Sequence, residues 1–216
     1  MARALSRQSG VDDAPEPDAP ATEPAQGGRT ILPPETVLRT ARRVFLATGS
    51  LEMRALAREL GIGRATLYRW NRGRDELLSE VLLSLAEANF RRVEEDIDTP
   101  PGALRVCHVH DQHIRRISGN TSLRAFIRSE PQVASRLLLD VAGTVHLGAT
   151  RLLADFLRRQ MAESRWRPPL DVDTFAHVVA RMSETYIYAD LIARAEPETE
   201  TPDIMLRLML GIPFEE

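Results

Sequence analysis

Lysine is absent, and all 28 basic residues are arginine. That bias reads as a GC-rich coding sequence and says nothing of the fold. A single cysteine, Cys107, excludes an internal disulfide. No window approaches the ~20 uninterrupted apolar residues that a bilayer span requires, so a membrane-spanning role is excluded. The opening MARALSRQSG has basic residues with no apolar core behind them, so a secretory signal is not expected and the cytoplasm is the expected compartment. Also missing are a Gly-x-Ser-x-Gly elbow, a phosphate loop following a strand and a His-Glu-x-x-His pair, which leaves an enzyme poorly supported. The chain shows neither an alternating strand run nor an internal repeat.

What is present is helical. The 216 residues are 43% apolar and 27% charged, enough for one large domain or two smaller ones. A net charge of −3 conceals an uneven distribution. Residues 1–35 hold 3 Arg against 6 acids, 36–80 hold 9 against 5, and 81–216 hold 16 against 20. The basic excess is confined to one short block, and attraction to a polyanion is a local property, screened within roughly 10 Å.

Residues 1–34 contain six prolines and few large apolar side chains, and are expected to form a disordered Pro-rich arm. Such an arm is either solvated leader sequence or a DNA-reaching segment carrying Arg3, Arg7 and Arg29. From Pro34 the spacing of Val37, Leu38, Ala41, Val44 and Phe45 predicts a helix over 35–47, stopped by Gly49. Met53, Leu56, Ala57 and Leu60 predict a short second helix ending at Gly61. Arg64 to Trp70 form a third, and a stripe through Leu77, Leu78, Val81, Leu82, Leu85 and Ala88 a fourth over 74–96. Short helix, tight turn, short helix is a helix-turn-helix arrangement. Further helices are expected near 102–118, 121–129, 132–141, 144–164, 172–194 and 201–210, so the fold class is all-α.

The third helix sorts its own side chains. With Leu67 inward, Ala65 and Arg69 point away from the core at 100° per residue, and Thr66 and Tyr68 lie on the flanks. Arg69 and Arg64 can donate paired hydrogen bonds to a guanine edge, Ala65 can touch a thymine methyl, and Thr66 and Tyr68 can bond phosphates. Arg72 and Arg74 precede or open the fourth helix, whose free N–H groups favour a phosphate. A charged face on a short helix is by itself usually a solvated face; the combination is what carries weight.

The run MRALARELGIGRATLYRWNRGRDELL at 53–78 resembles the DNA-binding domain of TetR-family regulators. Two positions depart from the family pattern, Gly63 where Ser is common and Asn71 where an aromatic is usual. The stretches AFIRSEPQVASRLLL and SETYIYADLI are similar to the branch named after QsdR. The resemblance implies a helix-turn-helix domain over 35–80 and an all-α ligand-binding and dimerisation domain over 81–216. It implies a homodimer on double-stranded, palindromic operator DNA, acting as a repressor and released by a small-molecule effector. It puts Arg64, Ala65, Thr66, Tyr68 and Arg69 at DNA contacts and Arg74 at a phosphate.

In the C-terminal half, helix 172–194 is apolar on two sides, so one side can face a cavity and the other, with 201–210, a partner subunit. Candidate pocket residues are Cys107, His110, Asp111, Phe126, Met182, Ser183 and Tyr186. Cys107, His108, His110, Asp111 and His113 form a polar cluster that reads as a metal site, a polar pocket wall or plain structure. Three ligands on one helix rarely converge without a donor from elsewhere, so no metal or other cofactor is expected. The rival to a DNA-binding regulator is a helical small-molecule-binding or scaffolding protein that has lost DNA affinity.

Overall fold

Pro34, whose fixed φ suits a first helical turn, opens α1 (Pro34–Thr48). The structure, a computed structural model, describes residues 32–213 except Asn71 and Arg72. The expected arm with Arg3, Arg7 and Arg29, and the candidate Arg72, lie outside the described residues. Gly49 closes α1 in the left-handed conformation at φ 66°, its N–H bonded to the Phe45 carbonyl. α2 (Met53–Glu59) buries Met53, Leu56 and Ala57, and Gly61, again at φ 66°, turns the chain into α3 (Arg64–Trp70). α4 (Arg74–Asp96) follows Gly73 with Asp75 and Glu76 in its first turn, where acids complement the helix dipole.

The remaining elements are α5 (Ala103–Ser118), α6 (Thr121–Ser129), α7 (Pro131–Leu139), α8 (Thr144–Glu163), α9 (Val172–Ile187), α10 (Ala189–Ile192) and α11 (Glu200–Leu210). Asn120 caps α6 by accepting from the Leu123 N–H, and Asp171 caps α9 by accepting from Thr174. Every described element is a helix, so the chain is all-α with a helix-turn-helix at its N-terminal side. No single helix is long and apolar enough to cross a membrane.

The expected helix 172–194 is corrected to two. At Tyr188 the backbone leaves the helical region (φ −107°, ψ 30°) while the ring stays buried in the core. The apolar spacing continues across the break, which is why the sequence reads as one helix.

Two apolar clusters make the core. One joins α1, α2, α3 and the start of α4 to α6, α7 and Tyr188, with Phe45, Leu56, Leu67, Leu78 and Phe126 fully buried. The other joins the end of α4 to α5, α8, α9 and α11 around Phe90, Cys107, Phe156 and Phe175. At ~1.5 Å per residue, α4 is a rod of about 34 Å that belongs to both.

α1 and α6 are locked closely. Phe45 and Phe126 meet edge to face with ring centroids 5.8 Å apart, and Ser122 Oγ donates to the Leu46 carbonyl at 2.7 Å. A Cβ on Gly49 would lie 2.7 Å from that of Ala125 and 2.9 Å from the Ser122 carbonyl oxygen. Only glycine meets both this approach and the positive φ.

Candidate functional site

The first candidate surface is α3. Leu67 is wholly buried beneath it, Arg64, Ala65 and Arg69 are exposed, and Thr66 and Tyr68 are half-buried on the flanks. The guanidinium of Arg64 lies 5.3 Å from the centroid of the Tyr68 ring, a stacking that orders an otherwise mobile side chain. Ala65 and Arg69 thus lie on the face opposite the core anchor, and Arg64 is exposed at the start of the helix. Arg74, expected at a phosphate, makes contacts within the protein. Its Nε donates to the Leu51 carbonyl at 2.7 Å and its Nη2 to Glu130 Oε1 at 2.6 Å. Next to it, Asp75 pairs with Arg136 of α7.

The second candidate is a pair of adjoining cavities along α4, α5 and α8, the larger reaching α1, α6 and α7 and the smaller reaching α9. The larger, about 240 Å³, is mainly apolar and is walled by Phe45, Leu82, Leu85, Leu123, Leu138 and Val145, with Asn89, Arg116 and Asn120 among its polar neighbours. Phe45 belongs to α1, so the helix-turn-helix side of the molecule supplies part of this wall. The smaller, about 80 Å³, is walled by Phe90, His110, His113, Leu153, Ser183 and Glu184. Ala86, Ile117, Val145 and Tyr188 line both. A few polar groups at one end of an apolar space is the usual make-up of a small-molecule site.

Those polar groups are ordered. His110 Nε2 and Ser183 Oγ are 2.8 Å apart, and Ser183 Oγ donates to the Val179 carbonyl at 2.8 Å. Asn89 Nδ2 lies 2.8 Å from His113 Nδ1 and 3.2 Å from the His113 carbonyl oxygen. His146 Nδ1 sits 2.8 Å from Glu184 Oε1, whose other oxygen accepts from Arg181 at 2.7 Å. Burial pushes the His110 imidazole down to about 4, against the weaker opposing pull of Asp111. Burial, aided by His110, pushes His113 down to about 3. Burial raises the Tyr188 phenol well above its usual range.

Of the seven candidate pocket residues, His110 and Ser183 line the cavities. Asp111 does not: its carboxylate turns outward to Arg115 Nε at 2.8 Å. Phe126 is spent on Phe45, Tyr186 lies against Met205, with its hydroxyl 3.9 Å from the sulfur, and Met182 packs in the second cluster. Cys107 is fully buried there too, and its thiol is pushed up to about 11, chiefly by burial. The polar cluster on α5 disperses, with His108 going to Thr99, His110 to Ser183, His113 to Asn89 and Asp111 to Arg115. Among the described residues no group of three or more His, Cys, Asp or Glu is arranged to hold a metal ion.

The buried face of α5 spans Val106, Cys107, Val109, His110, His113 and Ile114, and Asp111 lies half-buried at its edge. His113, read as part of a polar cluster with a pocket wall as one of its meanings, does line a cavity, and Asn89, Glu184 and Tyr188 are wall residues that the sequence reading did not include. For Asn89 a signal was present, since it is a polar residue at the edge of an apolar stripe.

Residues 101–211 match the family described as tetracyclin repressor-like, C-terminal domain. The solved structure of the transcriptional repressor QsdR of the TetR family, from R. erythropolis, is similar over 84% of this chain and 96% of its own, with 30% identity and a TM-score of 0.76. The TetR-family repressor AlkX from Dietzia sp., implicated in biodegradation of n-alkanes, shares the fold over 81% of this chain and 95% of its own, at 20% identity and a TM-score of 0.55. No curated protein sequence matches significantly. An all-α chain with a helix-turn-helix, a cavity behind it and these two likenesses belongs to the TetR family of transcriptional regulators.

Proposed function

We propose that the protein is a cytoplasmic homodimeric repressor that binds a palindromic operator through α3 and is released by a small, mainly apolar effector bound in the paired cavities. The observation that carries this reading is the shared wall. Phe45 belongs both to the core beneath α2 and α3 and to the larger cavity, so occupancy there bears directly on the DNA-facing helices.

Arg64, Ala65 and Arg69 read bases, Thr66 and Tyr68 hold phosphates, and two copies of α3 must be spaced by roughly 34–36 Å or a further whole turn to enter successive major grooves. Val178 on α9 and Ile204, Met205 and Leu208 on α11 are exposed apolar side chains that suit the contact between copies. An effector that prefers a different spacing shifts the population away from the DNA-fitting state; tenfold release needs only ~1.4 kcal/mol of differential binding.

The test is a gel shift on DNA flanking the protein's own gene with salt varied. Specific retention whose logarithmic affinity falls linearly with the logarithm of salt concentration is expected. Ligand binding with no specific retention on that DNA would instead identify a helical binding protein without operator affinity.

A further inference from the structure

Resting on the reading of the paired cavities as the effector site, the hydrogen-bond directions in the smaller one say which head group it accepts. A hydroxyl has one proton. Ser183 Oγ has two close neighbours, the Val179 carbonyl, which can only accept, and His110 Nε2. Both contacts are satisfied only when Ser183 donates to the carbonyl and Nε2–H donates to Ser183. His110, kept neutral by burial, then carries its proton on Nε2, and its Nδ1 is a bare acceptor. That Nδ1 is buried and has no hydrogen-bond partner.

His113 is fixed in the same way. The Asn89 atom that touches the His113 carbonyl oxygen must be the amide nitrogen, because two acceptors would repel. The same nitrogen faces His113 Nδ1, so Nδ1 accepts and the neutral ring carries its proton on Nε2. The two imidazoles are three residues apart on one helix face, with Cβ atoms ~5–6 Å apart at that spacing. Both rings line the smaller cavity, His110 with a buried, unpartnered acceptor nitrogen and His113 with a donor.

We infer that the effector is a neutral alcohol, whose hydroxyl donates to His110 Nδ1 and accepts from His113 Nε2–H in the smaller cavity while its hydrocarbon body runs past Ala86 into the larger one toward Phe45. A carboxylate, ester or ether oxygen cannot satisfy the buried Nδ1, because it only accepts. Nor does the head chamber hold a spare cation for a carboxylate: its acid, Glu184, is already engaged by His146 and Arg181.

Calorimetry of the full chain with octanol, octanoate, methyl octanoate and octyl methyl ether tests this without any need for DNA. Octanol is expected to bind at least tenfold more tightly than the other three. Octanoate, ester or ether binding as tightly as octanol, or no binding of octanol, overturns the inference, whatever the DNA experiment gives. Octanol binding in a protein that ignores operator DNA would overturn the repressor reading and leave this one standing. His110→Phe is expected to abolish the preference for octanol over the ether. Should that variant fail to fold, nitrogen NMR of the unaltered protein decides: the His110 proton belongs on Nε2, and the Nδ1 resonance shifts when octanol is added. A proton found on Nδ1 overturns the inference. Ala86→Leu, which narrows the passage, is expected to weaken octanol at least tenfold; unchanged affinity would refute the route of the tail.

Discussion

Arg74 and Glu130, 56 positions apart in the chain, are joined at 2.6 Å, and the same guanidinium holds the Leu51 carbonyl at 2.7 Å. One side chain thus ties the first turn of α4 to the loop before α2 and to the junction of α6 and α7. Both members are about a quarter exposed, so the pair is partly desolvated and stronger than a surface bridge. Arg74→Ala is expected to cost about 1–3 kcal/mol by leaving the Leu51 carbonyl and Glu130 unpaired. At ~2–4 °C per kcal/mol for a chain of this size, the loss is visible in a thermal melt followed by circular dichroism. A melt unchanged within error would place Arg74 outside the joint.

On α3, Arg69→Ala and Arg64→Ala are each expected to weaken specific operator binding by ~1–3 kcal/mol and to relax sequence choice, because both are exposed, Arg69 opposite the buried Leu67 and Arg64 at the start of the helix. Arg64 has a second role, since it stacks on Tyr68. Tyr68→Ala should therefore lower affinity for all DNA and also blunt the discrimination due to Arg64. Titrations against operator and scrambled duplexes distinguish the two effects. Full affinity and full discrimination in Arg69→Ala would show that another face reads the DNA.

For the contact between copies, Val178→Asp and Leu208→Glu place charges on apolar side chains that are exposed in the single chain, Leu208 by 66%. Each variant is expected to remain helical, sediment as a monomer and lose operator binding, because burying an unpaired charge costs several kcal/mol. Wild-type chain that sediments as a monomer at micromolar concentration while binding operator tightly would remove the dimer from the account.

Acid should destabilise the protein over a defined window. His110 and His113 have folded values depressed to about 4 and about 3 from an ordinary 6.5, so below pH 6.5 the unfolded chain takes up protons that the folded chain refuses. Stability is whole above pH 6.5 and falls as pH drops toward 4 and then 3. At pH 5 the loss is roughly 2 kcal/mol for each histidine, at ~1.4 kcal/mol per pH unit. Urea midpoints at pH 7 and pH 5 measure it, and His113→Asn should flatten the dependence. A midpoint independent of pH between 7 and 5 would mean that neither ring is buried neutral.

The helices were legible because their punctuation is local: Pro34, Gly49, Gly61, Gly73 and Gly102 each mark an end that the structure keeps. The two faces of α3 were legible for the same reason, since a seven-residue helix with one buried leucine leaves little freedom in phase. α5 was harder. It carries apolar or histidine side chains on more than half its circumference, so its spacing alone does not say which of them meet α9, where Ser183 partners His110. The tie of Arg74 to Glu130 was illegible in principle, because an arginine at a helix start suits a phosphate and a carboxylate alike. The break at Tyr188 arises from tertiary burial of one ring and leaves no trace in the spacing.

The length of α4 has a mechanical consequence. Asn89, beside the head chamber, and Arg74, at the joint, are 15 residues apart on one uninterrupted helix, a lever arm of about 22 Å at ~1.5 Å per residue. A tilt of about 5° about the Asn89 end, too small to disturb the cavity wall by more than a fraction of an ångström, moves the Arg74 end by about 2 Å, geometric gain alone supplying the amplification. A hydrogen bond of 2.6 Å does not survive such a displacement. The joint at Arg74 resists small tilts and yields to larger ones, a detent; under the function proposed above, filling the cavity is therefore expected to release the α3 side of the molecule in a step and not gradually.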